Sequence, residues 1–135
     1  MTKHLASILA FMTVSFAVQG LSHFVINKNH FAGIDFMRSD PIIPLGLFVM
    51  VIQGLILTLS LTQLAPKNVT IRDGVTVSLA FGLFLLTYVS IVEPSKYEVP
   101  SISAWFIIEG LASLIQFAGF GVLLGLIHKK VGRRT

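Results

Sequence analysis

The sequence predicts an all-α integral membrane protein, a four-helix bundle forming one transmembrane domain with both termini cytoplasmic. Three observations predict it. Of 135 residues, 54% are apolar and 12% charged, far from the soluble average. Four apolar runs approach or exceed the roughly 20 helical residues that cross a ~30 Å hydrocarbon core. The basic residues between the runs fall mainly on one side of the bundle.

The first run, Leu5 to Ile26, follows Lys3 and continues for 22 residues. A secretory h-region spans only about 7 to 15, and no A-x-A cleavage site follows, so the run reads as a span. The second, Ile42 to Ala65, is expected to start with Asp40 as its cap and Pro41 at the first helical position, with Pro44 in the first turn and Pro66 beyond the end. The third, Val75 to Val92, follows a Thr70/Asp73 capping-box pattern and is expected to stop at Pro94. The fourth, Ser101 to Ile127, is 27 residues long. At ~1.5 Å per residue it exceeds the hydrocarbon core and should tilt or protrude.

These spans leave only short connections, so no soluble catalytic domain is expected. The first loop, "NKNHFAGIDFMRSDP", places Phe31, Ile34 and Met37 at intervals of three. That spacing suits a short interfacial segment over the outer mouth of the bundle, with His30, Asp35 and Arg38 turned to water. The amino terminus, second loop and tail carry Lys3, Lys67, Arg72, Lys129, Lys130, Arg133 and Arg134, against Lys28, Arg38 and Lys96 in the first and third loops. The positive-inside rule then puts both termini in the cytoplasm. The basic tail faces anionic lipid, which accounts for the net charge of +4 without a nucleic-acid partner.

Cysteine is absent, which excludes thiol nucleophiles, thiolate metal sites and the four-span quinone-linked thiol oxidoreductases. No nucleophile stands beside a base, so the reading leans away from an enzyme. No cofactor is implied: a bis-histidine haem needs two facing histidines at depth, and only His23 approaches that position. A metal site built from His23, His30 and Glu109 has no specific spacing to support it.

One short pattern recurs: Val18-Gln19-Gly20-Leu21, Ile52-Gln53-Gly54-Leu55 and Ile108-Glu109-Gly110-Leu111. Each copy sets an amide or acid beside a glycine, where helices are expected to approach closely and polar groups to bond across. Counting ~1.5 Å per residue from the outer span ends puts Gln19 roughly 10 Å, Gln53 about 16 Å and Glu109 about 12 Å deep. Ser15, Gln19, Ser22 and His23 share one face of the first span; Trp105, Glu109, Ala112, Ser113 and Gln116 share one face of the fourth. Polar stripes in lipid must face protein or water. The candidate binding residues are therefore Glu109, Gln53, Gln19, His23, Tyr88 and Trp105, around an outward-facing cavity.

Glu109 is the strongest signal, because an acid within a span is functional by default and no Lys or Arg inside any span opposes it. Two roles are open to it: a protonatable group in a ligand site, or a neutral hydrogen-bonding clamp to Gln53 or Gln19. His4 and His128 fall at the cytoplasmic edge, where they are expected to snorkel.

The run from Glu93 to His128 carries Lys96-Tyr97, Pro100, Trp105 and Glu109-Gly110-Leu111, and "FMRSDPI" stands in the first loop. In these features the chain resembles uncharacterised small four-span bacterial inner-membrane proteins. The resemblance implies a multi-pass protein of the cell inner membrane and no established activity. Two other families are set aside. Small multidrug-resistance transporters carry their acid on the first span, where this chain has Gln19, and glutathione-using membrane enzymes have an arginine-rich loop that Arg38 alone does not supply. The expected function is binding of a small amphipathic ligand, or proton handling, within the bilayer. The alternative is an accessory subunit forming homo- or hetero-oligomers through small-residue faces, Ser78 with Gly82 or Gly121 with Gly125.

Overall fold

The computed structural model describes residues 1–35, 38, 40–65 and 67–129. Met37, Pro66, Lys130, Arg133 and Arg134, each given a role above, lie outside the described residues.

Among the described residues the chain is all-helical, with four helices long and apolar enough to cross a membrane: Thr2–Ile26, Ile43–Leu64, Ile71–Lys96 and Ile102–His128. The first consists of α1 (Thr2–Leu21) and a π-helical turn, Ser22–Ile26. A short α2 (Lys28–Ala32) lies in the following loop, and α3 is Ile43–Leu64. The third comprises α4 (Ile71–Thr87), a second π-helical turn (Tyr88–Val92) and α5 (Glu93–Lys96); α6 is Ile102–His128. Met1 and His128 mark the terminal end of the bundle; Asn27 and Ile42 mark the opposite, loop end.

Local chemistry explains most boundaries. Thr70 caps α4 in a full capping box: its hydroxyl accepts from Asp73 N at 3.2 Å, and Asp73 Oδ2 accepts from Thr70 N at 2.8 Å. The helix therefore begins at Ile71, a turn earlier than the apolar run alone suggests. Ser101 caps α6 by accepting from Ala104 N at 3.3 Å. Two boundary expectations are corrected. Asp40 does not cap α3: the helix starts at Ile43 after Ile42, with no side-chain cap, because Pro44 supplies the fixed φ of a first turn. Pro94 does not stop the third helix; the wide π turn of Tyr88–Val92 precedes it, and Pro94 sits in the first turn of α5, where a missing N–H costs little.

α4 packs along α6 over the most extensive interface, α1 packs on both α3 and α6, and α3 and α4 meet only slightly. Glycines set how close the helices come. A β-carbon at Gly125 would lie 2.5 Å from Ile71 Cα, one at Gly121 would lie 2.7 Å from Val75 Cα, and one at Gly82 would lie 2.5 Å from the Phe117 ring. Ser78 closes the same seam by donating to Phe117 O at 2.7 Å. The small-residue faces expected to receive a partner's spans therefore receive each other, within this chain. Between α1 and α3 the close contact is at Gly54, against Ile8 Cα and Phe11. Gly20 and Gly46, toward the loop end, have nothing within 4 Å of the place a β-carbon would take. Of the three repeated motifs, only the middle glycine makes the expected close approach.

The core follows from this zippering. Phe11, Leu57, Leu61, Phe117, Phe120 and Leu124 form one buried cluster, in which Phe11 meets Phe120 edge-on at 4.9 Å between centroids. The helices splay above this aromatic layer toward the loop end, and the space between them is the site.

Candidate functional site

A cavity of about 930 Å³ opens at the loop end, walled by α1, α3, α6 and the Leu85–Glu93 stretch, with the first loop across its mouth. Five of the six residues expected to bind line it: Gln19, His23, Gln53, Trp105 and Glu109. Tyr88 does not. It stands half-exposed at the start of the second π turn, with Lys96 Nζ 5.3 Å from its ring centroid.

α6 supplies the deep wall because its residues at intervals of four and three, Trp105, Glu109, Ser113 and Gln116, all turn inward. Gln19 donates to Gln116 Oε1 at 2.7 Å, and Gln116 Nε2 donates to Ser15 Oγ at 2.8 Å. This chain ties α1 to α6. It is the interhelical clamp that the sequence suggested for Glu109, made instead by Gln116, which belonged to the polar stripe but not to the expected binding set. Trp105 is fixed separately, donating from Nε1 to Val89 O at 2.8 Å. Val89 lies in the second π turn, a local widening of the kind that often marks functional positions.

Glu109 is only 6% exposed, yet among the described residues its carboxyl makes no hydrogen bond. Among the described residues its one ion-pair partner is His23, whose Nε2 lies 3.7 Å from Oε1 and carries a charge only when the ring is protonated. The His23 ring is oriented from both sides. Nδ1 lies 3.0 Å from Gln19 O, and Phe31 stacks on the ring at 3.8 Å between centroids. A carbonyl accepts, so Nδ1 carries a hydrogen, and in the neutral ring the lone pair on Nε2 points toward Glu109. The 3.7 Å gap is longer than a hydrogen bond, so the two groups face each other without sharing a proton in this geometry. Gln53 and Ser113 also line the cavity without a hydrogen bond from any described side chain.

The mouth was partly legible. Phe31 and Ile34 are buried and pack with Trp105, as their spacing suggested, while Asp35 and Arg38 are exposed. His30 departs from expectation: its Nε2 is buried without a partner, and its ring lies 6.2 Å from that of Trp105. Lys28 and Arg38 add two cations at the rim. Among the described residues no three of His, Cys, Asp or Glu come together as metal ligands.

A second polar cluster lies at the terminal end. His4 Nδ1 and His128 Nε2 meet on Thr58 Oγ1 at 3.0 and 2.9 Å, and His128 Nε2 also lies 3.2 Å from Ser7 Oγ. Ser7 spends its proton on Lys3 O at 2.9 Å, so it can only accept from His128. His128 therefore turns inward and is 6% exposed rather than snorkelling. The signal was available, since His128 continues the four-residue ladder through Gln116, Phe120 and Leu124.

The fold and site thus define an apolar four-helix bundle with a polar cavity at one end. Comparison with protein-family models, curated proteins and solved structures finds no match.

Proposed function

We propose that this chain is a multi-pass protein of a bacterial inner membrane, with both termini cytoplasmic, whose outward-facing cavity binds a small amphipathic molecule while Glu109, facing His23, holds an exchangeable proton. The observation that carries this reading is a buried carboxyl facing an amphipathic cavity of about 930 Å³ with no hydrogen bond from a described residue. A carboxyl serving only to hold helices together would have its bonds made, because leaving a buried acceptor unpaired costs about 1–3 kcal/mol. Membrane placement is supported by large apolar side chains on the outside of every long helix, among them Phe24, Phe48, Phe84 and Ile107, each about half exposed or more. The distribution of basic residues supports the orientation. The accessory-subunit alternative is not carried forward through Gly121 and Gly125, since α4 covers them.

The test is native mass spectrometry of the full chain in mild detergent, looking for copurified small molecules in wild type and Glu109→Gln. The amide keeps size and removes titration. The expected result is a bound amphiphile whose retention varies with pH in wild type and not in the variant. An identical pH response in both would remove Glu109 from the function. A cytoplasm-dependent reporter fused after Thr135 is expected to be active; silence there would invert the orientation.

A further inference from the structure

We propose that the amphiphile of this cavity is zwitterionic, a lipid whose head carries a primary ammonium next to a phosphate, bound with the ammonium at Glu109 and the phosphate at Lys28 and Arg38. The inference rests on the ligand-binding reading above and specifies its chemistry.

It follows from which polar groups the protein leaves unpaired. Gln19, Gln116 and Ser15 are bonded to one another, and the Trp105 N–H is occupied by Val89 O. What remains facing the cavity is Glu109, Gln53 and Ser113 in the depth, Glu93 on the wall, and Lys28 and Arg38 at the rim, and neither cation makes a salt bridge to a described carboxylate. The complement of that set is a molecule with a hydrogen-bonding cation inside and an anion outside. An amphiphile bearing only an ammonium would meet two cations at the entrance, and one bearing only an anion would bring its charge toward Glu109. A zwitterion satisfies both ends.

The arrangement along the chain agrees. His23 faces Glu109 at 3.7 Å, and Lys28, on the short helix that follows the bend at Asn27, lines the same cavity together with Arg38. Aromatic rings border the inner position, with Trp105 and Phe31 on the cavity wall, a setting that favours an organic cation. The tail has a way out: Phe16, Phe24, Leu45 and Val49 line the cavity and are also 55%, 66%, 60% and 47% exposed, so the opening continues onto the apolar exterior between α1 and α3. Glu93, half-buried at the start of α5, is the other carboxylate on the wall, and His23, Lys28 and Arg38 are the remaining titratable or cationic groups around the site.

Trp105 is the sole tryptophan and lines the cavity, so its fluorescence reports occupancy directly. The full chain in phosphatidylcholine nanodiscs is titrated with phosphatidylethanolamine, phosphatidylglycerol, a long-chain alkylamine and free ethanolamine phosphate. The expected result is a Trp105 response to phosphatidylethanolamine at about tenfold lower concentration than to phosphatidylglycerol or the alkylamine, the preference that one charge-assisted hydrogen bond supplies. Glu109→Gln should bring phosphatidylethanolamine down to the level of phosphatidylglycerol. The double variant Lys28→Gln/Arg38→Gln, on exposed positions, should weaken both phospholipids and strengthen the alkylamine, whose ammonium no longer meets two cations at the entrance. Glu93→Gln should do less than Glu109→Gln. A stronger response to phosphatidylglycerol, or a preference that survives Glu109→Gln, overturns the inference while leaving an amphiphile site in place. Free ethanolamine phosphate acting as strongly as the lipid overturns the tail assignment. No Trp105 response to any of the four overturns the amphiphile reading itself.

Discussion

The two ends of this bundle use the same residue types to opposite effect. At the terminal end, Gly121 and Gly125 meet the backbone of α4, and the buried Ser7, Thr58 and His128 are bonded to one another and to the partly buried His4. At the loop end, Gly20 and Gly46 face open space, and Glu109, Gln53 and Ser113 face a cavity without bonds to described side chains. Both π-helical turns among the described residues also lie at the loop end. A glycine or a buried polar side chain is thus ambiguous by itself: it closes a seam where a backbone or a hydroxyl stands opposite, and it leaves a site where nothing does. The closed end holds the helices together and lets the open end stay apart.

Breaking the closed end should have the largest effect. Gly125→Leu drives a side chain into Ile71, where the β-carbon alone would stand 2.5 Å from a backbone atom. Rotamer changes cannot relieve a clash with backbone, so α4 and α6 must separate. Overpacking a rigid site costs about 1–3 kcal/mol and more when main chain must move. Thermal unfolding in detergent should show a larger drop than Gln116→Leu or Thr58→Val produces. A folded, stable Gly125→Leu protein would show that the seam does not hold the bundle.

Next comes Gln116→Leu, which removes both bonds between α1 and α6 at the cavity floor. Interhelical hydrogen bonds contribute about 0.6 to 1.7 kcal/mol each at most, so the expected loss is about 1–2 kcal/mol. Thr58→Val, isosteric and apolar, should cost about 1 kcal/mol or less, because His128 keeps Ser7 and only His4 loses its partner. If Thr58→Val were the more damaging of the two, the terminal cluster rather than the cavity floor would be the main polar clamp.

The four helices and the polar residues that approach one another were legible because each is a matter of period and length: apolar runs mark the helices, and intervals of four and seven along the first and fourth collect Ser15, Gln19 and His23 with Trp105, Glu109 and Gln116. What was not legible depends on azimuth between helices, which no single helix encodes. Gln116 took the bond assigned to Glu109 because α1 presents Ser15 and Gln19 at its level. Tyr88 stands one residue, about 100° of helix, from Val89, which faces the cavity, and nothing in the apolar pattern says which of the two turns inward. The small-residue faces looked like docking surfaces because their partner, the other face of the same chain, is a long-range contact.

The smallest expected effect sharpens the comparison most, because it sets two copies of one motif against each other. Gln19-Gly20-Leu21 and Gln53-Gly54-Leu55 are the same tripeptide on neighbouring helices. A methyl at Gly54 would lie 3.1 Å from Ile8 Cα and 3.3 Å from Phe11 Cβ, tighter than a relaxed contact and against a backbone that cannot swing aside. A methyl at Gly20 would meet nothing within 4 Å. Alanine also favours the helix over glycine by up to about 1 kcal/mol at an exposed interior position. Gly20→Ala should therefore be neutral or slightly stabilising in thermal unfolding, and Gly54→Ala slightly destabilising, since the helix gain there is offset by the crowding of α1. The sign difference matters more than either size. Equal shifts for the two alanines would mean that α1 and α3 do not diverge between Gly54 and Gly20, and the wedge that forms the cavity would then have no basis in the packing of these helices.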